Sequence, residues 1–310
     1  MRKIRFGVVG VGEIMWEFHL PVMVKHPRIE LVAACSSRAA SVERAARQFG
    51  IPKRYTDINR MAEDRDVEAV LVSVPNNLHL PISVKLLESG KDVLCEKPMA
   101  RTAAEAKTML TVAETTGRKL AIAHPWRCDQ DYTWLQGVIR SGRLGKIFKI
   151  RAHAVITGSA PAPDNWRCDL EASGGGPLMD LGIHVMDAIS FLFHDDLRPT
   201  QVWGQTANHF IKTTVEDTAT VLIEYQDGMI AEIDSGWHHN FRNSPHGALE
   251  VFGTEGYART FPTEVHCMLE GAWGCYRPSL HADRPHIDAS MYAAQMDSFI
   301  DFVLSGSRPA

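Results

Sequence analysis

Two short stretches carry side chains whose types and spacing can do chemistry. The first is an apolar run, Asp92-Val93-Leu94-Cys95, bounded by Gly90 and Pro98, which ends in Glu96-Lys97. A run of this kind reads as a short buried strand. A carboxylate and an ammonium at its exit are either a solvated loop pair or a pair turned toward a bound molecule. The second is Asp180-Leu181-Gly182-Ile183-His184-Val185-Met186-Asp187. Read as a helix, it puts Asp180, His184 and Asp187 at i, i+4 and i+7, on one face. An imidazole between two carboxylates can move a proton. A helix histidine can equally be packed or merely exposed. No Glu/His pair elsewhere completes a ligand set, so no metal is expected.

The elements that must position these groups are legible in the first 123 residues. Ile4 to Val9, Ile29 to Cys35, Val67 to Val74, Asp92 to Cys95 and Lys119 to Ala123 are apolar runs separated by helical stretches, among them Ala39 to Phe49. Near-continuous apolarity marks strands covered on both faces, and strand–helix alternation predicts a doubly wound parallel sheet. Thr102 with Glu105 has capping-box spacing. In such sheets the crevice at the carboxyl ends of the strands holds the ligand.

The first strand runs into Gly10-Val11-Gly12-Glu13-Ile14-Met15. This is similar to a dinucleotide-binding turn: Gly10 permits the tight turn, and Gly12 lets backbone N–H groups approach a pyrophosphate at a helix N-terminus. Met15 stands where the fingerprint has its third glycine. At the end of the second strand, where an acid would bind the ribose 2′-hydroxyl of NAD, the residues are Ser37-Arg38. Without a carboxylate, and with a guanidinium able to pair with a 2′-phosphate, NADP is preferred over NAD. If Ser37 and Arg38 only begin a helix, the choice stays open.

Composition narrows the classes. The chain has 310 residues, 45% hydrophobic and 23% charged, with a formal net charge of −4. That suits two domains. It argues against nucleic acid as a partner, and no apolar run is long enough to span a membrane. The six cysteines, at 35, 95, 128, 168, 267 and 275, form no Cys-x-x-Cys pair. Together these features predict a cytoplasmic protein without disulfides.

Gly10-x-Gly12, Pro75-Asn76-x-x-His79 and Glu96-Lys97-Pro98, in this order and spacing, resemble the glucose–fructose oxidoreductase / inositol dehydrogenase family, Gfo/Idh/MocA. The resemblance runs from about residue 4 to residue 304. It implies a Rossmann domain, 1–123, and a substrate-binding and oligomerisation domain, 124–310, of α+β type with a large, mostly antiparallel open sheet. It implies that Pro75, Asn76 and His79 line the nicotinamide side of the cofactor site. Glu96 and Lys97 would lie between cofactor and substrate, with a cis Lys97–Pro98 peptide. The Asp-x-Gly-x-His-x-x-Asp pattern matches the family helix that follows a glycine-rich loop. There the histidine, here His184, is the acid/base, and the first aspartate, here Asp180, is its neighbour and a substrate ligand. Asp187 is taken as structural.

The crossover His124-Pro125-Trp126-Arg127 would contribute to a sugar pocket, Trp126 stacking on a sugar face and Arg127 donating hydrogen bonds, although Trp126 also suits interdomain packing. The segment Gly158 to Gly176 reads as a long polar loop whose Trp166 and Arg167 either cover the substrate or stabilise the loop. From Thr200 on, β-branched runs alternate with turns, including a hairpin signal at Gln226-Asp227-Gly228. His238, His239, His246 and His266 are read as surface or interface residues. The open sheet face implies a homodimer or homotetramer. A helix from Ala289 to Leu304 should return to the first domain, and family members continue through one further helix.

The activity so implied is hydride transfer between nicotinamide and a sugar, polyol or related small carbohydrate, with Lys97, His184 and Asp180 holding and deprotonating the reacting oxygen. The alternatives are a non-catalytic dinucleotide-binding regulator of the same fold and the NAD-dependent glycoside hydrolase branch. Retention of Lys97, Asp180 and His184 together argues against the former, and the active-site pattern against the latter.

Overall fold

The computed structural model describes residues 2–157, 161–194, 196–238, 247–269, 271–278 and 288–307. The chain divides into two compact units after Pro125, and the helix Ala289–Ser305 returns to the first.

In the first unit, strands β1 (Ile4–Val9), β2 (Ile29–Cys35), β3 (Lys53–Tyr55), β4 (Ala69–Val72), β5 (Asp92–Glu96) and β6 (Leu120–Ala123) form a sheet of order β3-β2-β1-β4-β5-β6. All its pairings are parallel. The strand order reverses between β1 and β4, which makes the carboxyl edge there a ligand crevice. Register decides what reaches that edge. Val9 pairs with Cys35 and Val72, and Val72 pairs with Cys95. The Gly10 turn, Ser37-Arg38, the Pro75–His79 segment and Glu96-Lys97 therefore leave the sheet at one level. β3 is absent from the apolar-run reading because it is a short edge strand carrying charge. Its Lys53 is paired with Asp64 and Asp66, as edge strands commonly are.

Thr102 caps the helix Ala103–Thr116 by accepting the Glu105 N–H. Glu105 returns to the N–H groups of Arg101 and Thr102, and adds an ion pair to the Arg101 guanidinium. The helix Ala289–Ser305 buries Met291, Tyr292, Gln295, Met296, Phe299 and Ile300, a two-wide stripe at helical spacing. Phe299 meets Phe6 of β1 edge-on, and Arg28 bridges to Asp297 and Asp301.

The second unit holds β7 (Ile147–Val155), β8 (Pro199–Ala207), β9 (Thr218–Tyr225), β10 (Ile230–Gly236), β11 (Ala248–Gly253), β12 (Gly256–Arg259), β13 (Glu264–Leu269) and β14 (Ala272–Tyr276). Their order is β14-β13-β12-β11-β7-β10-β9-β8. Only the central β7–β10 pairing is parallel. The hairpin at Gln226-Asp227-Gly228 joins β9 to β10, with Gly228 at positive φ. Helix Ile183–Leu192 packs on β7, and helix Gln130–Arg140 packs on that helix. The other face reads across the strands as Trp203, Leu222, Glu232, Arg151, Glu250, Arg259 and Glu264. Charges of alternating sign thus stand beside exposed apolar side chains.

The turn between β8 and β9 is organised by Asp217. It is fully buried and accepts the N–H groups of His209, Phe210 and Ile211 and the Thr218 hydroxyl. Burial raises its pKa, but these donors more than offset that and leave it below the usual aspartate value. The stabilisation is therefore fully present above the ordinary aspartate range and is lost as pH falls through the lowered folded value. Asp217→Asn is expected to cost about 2–3 kcal/mol at neutral pH. In thermal melts the gap between variant and wild type should close in acid; an equal gap at all pH values would contradict this account.

Candidate active site

The glycine turn after β1 is fixed by two different constraints. Gly10 has φ +82°, and a Cβ there would lie 1.9 Å from the Ser73 carbonyl oxygen, so packing against the end of β4 demands glycine. Gly12 has no atom within 4 Å of where a Cβ would stand. That open space beside a helix start is a cradle a side chain would fill, and it fits the backbone approach of a dinucleotide pyrophosphate. Glu13 is exposed and Ile14 half-buried beside it. The departure at Met15 has a structural counterpart: the helix opens as a π-helical turn, Met15–His19, with Met15 fully buried. Where the fingerprint uses glycine for close helix–strand packing, this chain uses a wider turn and a buried thioether.

Ser37 and Arg38 are exposed beyond β2. Arg38 stands at the N-cap of the helix Ala39–Phe49 without a side-chain capping bond, and makes no ion pair among the described residues. After β4, Pro75 leads into a short helical turn, Asn76–Leu78. Asn76 is buried, and so is His79. His79 Nδ1 lies 2.7 Å from the Pro98 oxygen and Nε2 3.0 Å from the Val74 oxygen. It braces the segment after β4 against the segment after β5. Burial lowers its pKa, against the opposing pull of those two carbonyls and Glu96.

The Lys97–Pro98 peptide is cis. Lys97 is half-buried and Glu96 is buried. Of this pair, Glu96 is turned inward rather than into an open crevice. Its Oε1 is 2.6 Å from His19 Nε2, and its Oε2 accepts the Lys97 N–H at 3.2 Å. His19 is a residue that motif reading passed over. Its available signal was a single histidine inside an apolar helical stretch.

In the second unit the Asp-His-Asp helix is not one regular α-helix. Asp180 sits in a π-helical turn, Leu178–Gly182, and His184 and Asp187 in the α-helix Ile183–Leu192 that follows. The wider turn breaks the simple i, i+4, i+7 face, and the three side chains have separate partners. His184 stacks on Trp126 at 4.6 Å between centroids with planes 24° apart. Asp180 accepts the Trp237 indole N–H at 3.2 Å and lies 3.6 Å from Arg167 Nε. Asp187 takes a two-pronged bond from Arg127 through Nε and Nη2. His19 lies in one π-helical turn and His184 shortly after the other, and such turns recur at functional sites.

Trp126 is only 2% exposed and stacks on both His184 and Tyr132, so its ring backs His184. Arg127 is engaged by Asp187. Trp166 and Arg167 are brought together, the guanidinium over the indole at 4.8 Å. The segment holding them has its own order, a helical turn Trp166–Cys168 and a short helix Leu170–Ser173. Trp237, fully buried, was missed because the pattern places a tryptophan after a strand without saying which loop it faces.

One cluster was invisible in the spacing. Glu264, His266 and Cys275 bring potential ligand atoms within 4.8 Å of one another. The carboxylate is already neutralised by Arg259 at 2.7 Å and Arg277 at 2.9 Å. Burial raises its pKa, but His266 and the two guanidiniums pull it down to about 2. Two cations on the same carboxylate make this a salt-bridge node and oppose a metal ion. His238 is half-buried; His239 and His246 lie outside the described residues.

No helix among the described residues is long and apolar enough to cross a membrane. Residues 4–124 match the family model described as an oxidoreductase family with an NAD-binding Rossmann fold, and residues 132–259 match its GFO/IDH/MocA C-terminal domain. A 1,5-anhydro-D-fructose reductase from Ensifer adhaerens is 30% identical, over 81% of this chain and 74% of its own length. A D-glucoside 3-dehydrogenase from Escherichia coli K12 is 27% identical over 97% and 88%. The crystal structure of aldose-aldose oxidoreductase from Caulobacter crescentus superimposes with a TM-score of 0.85 at 25% identity, covering 99% of this chain and 91% of that one. With the cis Lys97–Pro98 turn and the open cradle at Gly12, these matches assign the chain to the Gfo/Idh/MocA family of oxidoreductases.

Proposed function

We propose that this oxidoreductase transfers a hydride between NADP and a CH–OH carbon of a sugar, polyol or related carbohydrate, with NAD as the alternative cofactor. The observation that carries the proposal is the held pair in the second unit: His184 with its ring backed by Trp126, and Asp180 fixed by Trp237 and Arg167. An imidazole whose plane is set by stacking is prepared to exchange a proton at one place. The relatives named for anhydrofructose, glucoside and aldose substrates support a carbohydrate.

The nicotinamide, when bound, accepts or supplies the hydride. Gly10 and Gly12 would admit its pyrophosphate, and Ser37 with Arg38 its ribose end. Pro75, Asn76 and the His79 brace shape the nicotinamide side. In the oxidative direction His184 takes the proton of the substrate hydroxyl. Lys97 stabilises the charge that develops on that oxygen, and Asp180 orients the hydroxyl. The reverse reaction reduces a carbonyl with the same groups.

The exposed Trp203, Met268 and Trp273 on or beside the charged open sheet support assembly as a homodimer or homotetramer through this sheet. The protein is placed in the cytoplasm on its cysteine usage.

Fluorescence titration with NADP⁺ and NAD⁺, beside Arg38→Ala, tests the cofactor reading. Tighter NADP⁺ binding that weakens roughly ten- to hundredfold in the variant, with NAD⁺ unaffected, is expected for a lost charge-assisted phosphate contact. Tighter NAD⁺ binding in wild type would overturn the NADP preference. A sugar and polyol screen at the nicotinamide absorbance then tests the substrate class.

A further inference from the structure

We propose that His19 is a positioning residue for this reaction, acting through Glu96 to hold the main chain and the charge surroundings of Lys97. The inference rests on the proposed role of Lys97 and adds a residue that no motif contains.

Burying a carboxylate is costly unless it is paired and hydrogen-bonded. Glu96 is 8% exposed at the end of β5, and both of its oxygens are used. One accepts the N–H of the residue that follows, which pins the peptide entering Lys97. The other meets His19, which is 0% exposed and 77 positions away in sequence. Burial raises the Glu96 pKa, and the His19 hydrogen bond, with His19, Lys97 and His79 as charges, more than reverses it. The carboxylate is therefore ionised, so the His19 nitrogen facing it must carry the proton. His19 Nδ1 is buried without a partner among the described residues.

The ring cannot swing away. It meets Tyr292 edge-on at 5.0 Å, and Tyr292 is itself stacked by Phe18 at 5.1 Å. His19 belongs to the π-helical turn that follows the glycine cradle. The pair therefore ties the helix at the proposed pyrophosphate site to the main chain of Lys97. The titratable groups around Glu96 are His19, Lys97, His79, Cys95 and Tyr292.

The test compares His19→Ala, His19→Gln and Glu96→Gln with wild type. The readouts are kcat and KM against pH, cofactor Kd by fluorescence, and an infrared pH titration of the Glu96 carboxyl band, which needs no turnover. His19→Ala is expected to lower kcat by roughly ten- to hundredfold, the loss of one hydrogen bond to a charged group. Cofactor Kd should stay within about threefold, because no cofactor contact is removed. Protonation of Glu96 in the infrared, and the acid limb of kcat, should both move up by about one pH unit or more. His19→Gln keeps an N–H donor and should recover most of kcat. In the Glu96→Gln background, His19→Ala should add no further loss, since its effect passes through Glu96.

An additive loss in that background would overturn the proposal. So would a His19→Ala enzyme with unshifted titration and unchanged kcat. If His19→Ala does not fold, His19→Phe, which keeps a ring against Tyr292 and removes the donor, takes its place in the same cycle. Absence of wild-type turnover on any carbohydrate would count against the functional reading, while the infrared titration would still decide the pair.

Discussion

His184→Asn is expected to lower kcat by about 10²- to 10⁴-fold, the usual contribution of a positioned acid/base, with cofactor affinity unchanged. Asparagine keeps polarity and approximate size but cannot exchange a proton. It also forfeits the ring stack on Trp126, so stability must be measured beside rate. His184 is half-buried at the start of the helix Ile183–Leu192, whose core contacts are made by Val185, Ala188, Ile189 and Leu192. Those contacts are untouched, and the melting temperature should fall by only a few degrees. The loss should appear in kcat more than in KM, because the proton is moved in the transition state. Trp126→Phe is a useful companion, since it keeps an aromatic backing and should retain most of the rate. A His184→Asn enzyme within tenfold of wild type would remove His184 from the acid/base role.

Lys97→Met is expected to lower kcat by about 10²- to 10³-fold, the cost of losing one donor to a developing oxyanion. Methionine preserves the aliphatic stem of a half-buried side chain and removes only the ammonium. Glu96 keeps its bonds to His19 and to the residue-97 N–H, so the turn should persist. The carboxylate does lose one of the charges that hold it ionised. Glu96 protonation should therefore begin at higher pH in this variant, a shift readable without turnover. Lys97→Arg should not rescue, because a guanidinium presents a wider, planar donor set to a site that takes a compact charge. Steady-state rates on a sugar found by the screen give the answer. A Lys97→Met enzyme with wild-type kcat would leave the Glu96–His19 pair without a catalytic purpose.

Much of the first unit was legible in the chain itself. β1, β2 and the helix Ala39–Phe49 begin and end where the apolar runs and turn residues place them. Strands buried on both faces need uniform apolarity, and that signal is local. β3 and β12 to β14 were not legible. β3 is three residues long, and the late strands carry the polar Arg259, Glu264, His266 and Cys275, with Glu264 itself buried, which masks the alternation. The π-helical turns at Met15–His19 and Leu178–Gly182 were hidden too, because a histidine at helical spacing looks alike in either winding.

Sequence alone determined which residue types were available for chemistry and the edge of the parallel sheet from which Gly10, Arg38, His79 and Lys97 emerge. Alternating strands and helices admit few topologies, and glycine at Gly10 is demanded by its backbone. Tertiary structure decided the partners. His19 reaches Glu96, Arg127 reaches Asp187, and Trp237 reaches Asp180, over separations of 77, 60 and 57 residues. Periodicity assigns a side chain to a face but does not say what stands opposite. A buried charge must be met by whatever the fold brings there, and only the fold shows that Trp126 lies against His184 and Arg127 against Asp187.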